Sequence, residues 1–317
     1  MTNQSRRSFL KNSVLATSAL SLVNIPFTSH SKLPLEGDKL KVHIFSKHLQ
    51  FLNYAEMAEA AADMGFDGVD LTVRPKGHVL PERVADDLPK AIEALRKAGL
   101  SPMLMTTAVD DATDPVDNAV LTTAATAGIT HYRMNWLPYH ENTSMPESLE
   151  LHKKSIKELS ALNKQLNLVG FYQNHAGMLI GSSLWEIWQV ISEADPAQMG
   201  VQYDIRHAMV EGGTSWENGL RLVADRVKCL TLKDYRWTNK SGRSEVQDVP
   251  VGQGTVDFRK YFGLLRKYKI NVPVTLHIEY PAGGAEHGAT HISINKKEVF
   301  TTMKKDLQAI QRLWQES

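Results

Sequence analysis

Residues 54–73 read YAEMAEAAADMGFDGVDLTV, and this stretch decides the fold. From Tyr54 to Met64 the apolar residues recur at helical spacing. Gly65 follows where the helix has to stop, because glycine tolerates the left-handed backbone that closes a last turn. A short β-rich run, residues 68–73, comes three residues later. The same succession of helix, glycine stop and strand returns at Ala98-Gly99-Leu100 and at Ala127-Gly128-Ile129.

Outward from this unit, strands are expected at 41–46, 68–73, 102–107, 130–136, 168–173, 200–204, 228–233 and 274–280. Amphipathic helices are expected between and after them, at 54–64, 87–98, 146–166, 184–193, 216–225, 258–268 and 296–314. Strands that alternate with helices pair in parallel, and eight such units indicate a closed (β/α)8 barrel. An open doubly wound sheet is the weaker reading, because no Gly-x-Gly-x-x-Gly follows the first strand. No linker or composition break divides residues 32–317, which are expected to form one domain.

The chain has 317 residues, 42% hydrophobic and 22% charged, an ordinary globular composition. Its single cysteine, Cys229, excludes an intramolecular disulfide and the zinc motifs built on paired cysteines. Lys and Arg number 36 against 35 Asp and Glu, a balance that argues against nucleic acid as a partner. The stretch Ser5-Arg6-Arg7-Ser8-Phe9-Leu10-Lys11, followed by weakly apolar residues to Phe27, looks like a twin-arginine export signal over residues 1–31. It implies recognition by the twin-arginine export machinery, a periplasmic location and no stable membrane anchor after cleavage. Oligomerisation is left open.

In such a barrel the chemistry sits at the C-terminal ends of the strands. The fourth strand brings Arg133, Asn135 and Trp136, and the fifth ends in Tyr172-Gln173-Asn174-His175. The sixth ends in Asp204-Ile205-Arg206-His207, the seventh in Thr231-Leu232-Lys233-Asp234, and the eighth in His277-Ile278-Glu279-Tyr280. Side chains two apart on a strand share a face, so Gln202 with Asp204, Thr231 with Lys233, and His277 with Glu279 are expected to point into the mouth together. A hydrophobic core has no need of these groups.

These residues, in this order, resemble the xylose-isomerase-like TIM barrels, which include sugar phosphate isomerases and epimerases and a related endonuclease branch. The resemblance also rests on Gly65-Phe66-Asp67-Gly68-Val69-Asp70 and on Val249-Pro250-Val251-Gly252-Gln253-Gly254. It implies one divalent metal (Mn, Mg, Co or Zn), with Gln173, Asp204, Glu279 and His175 as the candidate ligands. Two positions depart from the family pattern: the fifth strand has neutral Gln173, and Thr231 stands where a histidine is usual.

The resemblance further implies proton abstraction next to a sugar carbonyl, by an isomerase, an epimerase or a 3-keto-glycoside β-elimination lyase. Glu279 is the candidate base, Lys233 the candidate electrophile, and His207 a third catalytic group. Arg133, Asn135, Tyr172, Arg206, His277 and Trp237 are the expected substrate wall, joined by Trp136. The loops 235–255 and 281–291 are expected to act as lids, with Glu286, His287 and His291 solvated. With an export signal and no basic cluster evident at the mouth to hold a phosphate, a small free or glycosidic carbohydrate is the expected partner rather than a phosphorylated sugar. The alternative is a non-catalytic sugar-binding barrel with a degraded metal site. Phosphodiester hydrolysis is disfavoured by the scarcity of His and Glu ligands and by the neutral charge of the chain.

Overall fold

The computed structural model describes residues 39–317; the expected export signal lies outside the described residues. The strands are β1 (Val42–Phe45), β2 (Gly68–Val73), β3 (Ser101–Thr107), β4 (His131–Arg133), β5 (Val169–Gln173), β6 (Met199–Asp204), β7 (Val227–Leu232), β8 (Asp234–Lys240), β9 (Arg243–Val249) and β10 (Val274–Leu276). Strands β1 to β7 pair in parallel with their neighbours in sequence, and β10 joins β7 to β1, closing an eight-stranded barrel. The (β/α)8 reading is therefore correct. Gly65 and Gly128 close their helices at positive φ, 93° and 88°.

Alternation along the strands sorts the side chains into two environments. Val42, Ile44, Val69, Leu71, Tyr132, Tyr172, Val201, Tyr203, Leu230 and Leu276 point outward into the apolar layer beneath the helices. A small apolar cluster inside the barrel contains Leu104, Phe171 and Cys229. The rest of the interior is polar: Asp70, Thr72, Thr106, Gln202, Thr231, Thr275 and His277 are all buried. Thr106 donates to Asp70 Oδ1 at 2.9 Å, and Gln202 reaches the Cys229 sulfur at 3.6 Å.

One expected loop is a sheet. The lid loop expected over 235–255 is largely an antiparallel hairpin, in which β8 and β9 pair in full register from Asp234↔Val249 to Lys240↔Arg243. Its tip turns at Ser241 and Gly242, both at positive φ, as a two-residue hairpin turn requires. Both strands of the ribbon carry mostly polar side chains, so no apolar alternation marks them in the sequence. The hairpin is tied down at its base by Asp234. This carboxylate accepts the backbone N–H groups of Tyr235, Gly252, Gly254 and Val256 at 2.8–3.1 Å. A Cβ on Gly254 would collide with that carboxylate, so the Val249–Gly254 motif is explained by anchoring. The other expected lid, 281–291, is also pinned. Glu286 is buried, not solvated, and accepts the N–H groups of Ala282 and Gly284, both at 2.9 Å.

Two stability predictions follow from these anchors. Asp234→Ala strands buried donors and should cost about 3 kcal/mol in urea unfolding; a loss within 0.5 kcal/mol, on the order of an ordinary surface change, would contradict the anchoring role. The second concerns Asp306, which accepts from Tyr280 Oη at 2.6 Å and from Val251 N–H at 3.2 Å. Burial raises its pKa from 3.8 to about 7. The folded state thus keeps a proton that the unfolded chain releases near its lower pKa. Its contribution to stability therefore falls as pH rises from about 4 to about 7. Asp306→Asn should flatten that part of the stability–pH curve, measured by denaturant midpoints.

Candidate active site

Strand β6 ends at Asp204, which also begins the next helix, Ile205–Gly212, as its N-cap. Its Oδ1 accepts the His207 N–H at 3.2 Å, so the Asp-x-x-His spacing is that of a capping turn. Asn174 brackets the same residue: its Oδ1 accepts Asp204 N–H at 2.8 Å and its Nδ2 donates to Asp204 C=O at 2.9 Å. The backbone is held on both sides, and Asp204 Oδ2 is aimed into the barrel.

There it meets Lys233, at the end of β7. Nζ lies 3.0 Å from Asp204 Oδ2, 3.3 Å from His207 Nε2 and 3.7 Å from Glu279 Oε1. Gln173 Nε2 donates to the same Asp204 oxygen at 2.9 Å, and Gln173 Oε1 accepts from Arg133 at 3.0 Å. A second ammonium, Lys47, lies 3.1–3.2 Å from both oxygens of Glu279. Burial alone would raise the Glu279 pKa, but the charges of Lys233 and Lys47 outweigh it and hold the carboxyl at about 2. His277 stacks on Phe45 with ring centroids 4.1 Å apart and lies 4.0 Å from Glu279 Oε1.

The histidines are neutral, and their tautomers can be read from their partners. Burial, then Lys233, pushes the pKa of His207 far down. Ala176 N–H and the Arg206 guanidinium both aim at His207 Nδ1, at 3.3 and 3.1 Å, so Nδ1 accepts and the proton resides on Nε2. That N–H faces the Lys233 ammonium, so two donors converge beside Asp204 Oδ2, which lies 3.0 Å from Lys233 Nζ and 3.9 Å from His207 Nε2. His175, tilted against His207 with ring centroids 4.2 Å apart, is the reverse: its Nδ1 donates to Ala176 C=O at 2.7 Å, leaving Nε2 with a free lone pair.

These groups line a cavity of about 390 Å³ at the strand ends. Gln173, Lys233, Glu279, His207, His175, Arg133, Arg206, His277 and Trp136 all reach it, and Asp204 lies just beneath. Three expected wall residues do not. Tyr172 points outward, its hydroxyl donating to Ile180 C=O at 2.7 Å and accepting from Leu137 N–H at 2.9 Å. Asn135 turns to Asp110, at 2.8 Å. Trp237 is 53% exposed on the hairpin. The expected absence of a basic cluster is also overturned, because Lys47, Arg74, Arg133, Arg206 and Lys233 share the lining. Lys47 and Arg74 follow β1 and β2 directly, so the strand-end rule applied to those two strands would have found them.

The donor set does not fit a divalent metal. Gln173 turns its oxygen to Arg133, and both Glu279 oxygens face Lys47. Asp204 Oδ2 is shared by Gln173 and Lys233, and Thr231 supplies a hydroxyl in place of an imidazole. Among the described residues no three His, Cys, Asp or Glu side chains form a group able to hold a metal ion. The Lys233 ammonium stands amid the ligands that the metal would need.

Removing that charge leaves a carboxylate buried and unpaired. Lys233→Met should therefore cost about 3–5 kcal/mol in guanidinium unfolding. Adding Asp204→Asn should recover at least half of the loss. A Lys233→Met variant as stable as the parent would contradict the ion-pair assignment.

Comparison with known proteins agrees with this architecture. The family profile described as "Xylose isomerase-like TIM barrel" matches residues 58–294. A curated Haemophilus influenzae protein, provisionally named L-ribulose-5-phosphate 3-epimerase, is 36% identical over 58 residues, 17% of this chain and 20% of that protein. The match thus spans about a fifth of that relative's length. Among solved structures, the 3-keto-D-glucoside 4-epimerase of E. coli superposes with a TM-score of 0.63 at 15% identity, covering 85% of this chain and all of that one. The IOLI protein, solved with a bound zinc atom, gives 0.66 at 15% identity, covering 86% of this chain and 99% of that one. With the profile spanning most of the closed barrel and its strand-end cavity, the chain belongs to the xylose isomerase-like TIM barrel family.

Proposed function

We propose that this protein is a sugar isomerase or epimerase that removes a proton from the carbon next to a carbonyl. One observation carries the reading: the Lys233 ammonium and the His207 Nε2–H converge 3.3 Å apart beside a carboxylate. A carbonyl oxygen placed between two such donors gains stabilisation as negative charge develops on it, which is what proton abstraction from the adjacent carbon demands. With its proton on Nε2 and Nδ1 already occupied by Ala176 N–H and Arg206, His207 is set to donate a hydrogen bond rather than to act as a base.

Glu279 is the base in this proposal. A carboxylate held at a pKa of about 2 is ionised throughout the working range, though a weak base. A substrate oxygen that takes a share of the Lys233 and Lys47 charges loosens their hold on Glu279 and raises its basicity. The proton then moves from carbon to Glu279, and the electron pair moves to the oxygen between Lys233 and His207. Among the structural neighbours is a keto-glucoside epimerase, which supports a sugar as the substrate class. Zinc is present in another, but here Lys233 takes the position a metal would need, and no step runs through a metal.

A second reading, β-elimination from a 3-keto-glycoside, is favoured by Gln173. Its amide is neither an acid nor a base at catalytic pH, so return of a proton to carbon from that wall is unavailable to it. Export to the periplasm remains part of the proposal on the strength of the Arg6-Arg7 motif alone.

Incubation with ketoses and 3-keto-glycosides in heavy water tests the reading. Deuterium should enter at the carbon next to the carbonyl, and Glu279→Gln should slow that exchange by about 10²–10⁴-fold. The NMR spectrum of the product separates an epimer or isomer from an elimination product. Exchange that survives Glu279→Gln at the parental rate would remove Glu279 as the base.

A further inference from the structure

The cavity lining carries five cations, Lys47, Arg74, Arg133, Arg206 and Lys233, against two carboxylates, Asp248 and Glu279. Three of the cations are matched. Arg206 forks onto Asp248 at 2.9 and 3.1 Å, Lys47 sits on Glu279 at 3.1 Å, and Lys233 sits on Asp204 at 3.0 Å. The two guanidiniums left over stand at the ends of β2 and β4, with β3 between those strands, and the charge of Arg74 is felt at Arg133.

Arg133 is 2% exposed. Its Nη1 donates to the neutral oxygen of Gln173, its plane lies 4.0 Å over Trp136, and its Nε has no hydrogen-bond partner. Arg74 lies 5.5 Å over the Phe45 ring, and Asp70 and Glu279 act on it only through space. Asp70 lies deeper, with Oδ1 on Thr106 and Oδ2 without a hydrogen bond, 3.9 Å from His277 Nε2. Even with Asp70 ionised, the site keeps one positive charge in excess, because His175, His207 and His277 are held neutral mainly by burial. A buried guanidinium without a counter-charge is costly, and the arrangement calls for an anion from outside.

We propose that the sugar this cavity takes carries a carboxylate, bound by Arg74 and Arg133, so that the substrate is a sugar acid. Planar guanidiniums match carboxylate oxygens in pairs, and a single negative charge matches the excess of one. The apolar faces of Phe45 and Trp136, which also line the cavity, back the two guanidiniums and leave their edges toward it. The inference rests on the sugar reading of the site, but its test does not need turnover.

Calorimetric titration should compare matched pairs: D-glucuronate with D-glucose, D-galacturonate with D-galactose, and D-glucose 6-phosphate as the dianionic control. At low salt the best acid should bind at least about tenfold tighter than its neutral parent, and tighter than the phosphate. Arg74→Gln should erase that preference while changing neutral-sugar affinity by no more than about twofold. Arg133→Gln should also abolish the acid preference, and if it fails to fold, Arg74→Gln carries the test. Equal binding of acid and neutral sugars, binding of no acid, tighter binding of the phosphate, or an unchanged preference in Arg74→Gln would overturn the proposal. A preserved acid preference without deuterium exchange would instead remove the proposed reaction and leave the carboxylate site standing.

Discussion

A single ammonium group organises the mouth of this barrel. Lys233 reaches the interior only because Asp204, buried and bracketed by Asn174, offers an oxygen 3.0 Å away. In a low-dielectric interior neither ion is tolerable alone, and each fixes the other. From that pair the remaining geometry follows. Gln173 hydrogen-bonds to the same oxygen, Glu279 is drawn to within 3.7 Å, and Lys47 doubles the positive charge on Glu279. Burial, reinforced by the same ammonium, keeps His207 and His277 uncharged. A barrel whose strand ends would otherwise suit a metal is thus built around a covalently tethered cation.

This substitution has chemical consequences. A metal ion polarises an oxygen through coordination, whereas an ammonium does so through hydrogen bonds of lower charge density. The loss is offset in part by the second donor, His207 Nε2–H, whose orientation is set by Arg206 and the Ala176 backbone. The leftover charge of Arg74 and Arg133 then sets what else the ligand must bring. Family membership fixes the barrel and the location of the site, while the ions inside it distinguish this chain from relatives that carry a metal.

Much of this was legible in the residues themselves. Glycine stops and strand–helix alternation are local signals, so the barrel and its strand ends could be placed. Side-chain parity correctly paired Thr231 with Lys233 and His277 with Glu279. Other features depend on contacts remote in sequence. The two polar strands of the β8–β9 hairpin stand off the barrel and show no apolar alternation. Tyr172 lies next to Gln173 yet faces the helices, because neighbours on a strand point opposite ways. Lys47 and Arg74 were not singled out, and Lys47 meets Glu279, 232 residues away, only because β1 and β10 pair. The family resemblance also implied a metal, and no local pattern signals that a lysine from the adjacent strand stands among its expected ligands.

The account stands most directly on crystals grown in excess Mn²⁺ and measured at the manganese absorption edge. It predicts Lys233 Nζ between Asp204 and Glu279, with no anomalous peak among them. An anomalous peak within coordinating distance of both carboxylates, about 2.2 Å, with Lys233 swung aside, would contradict it.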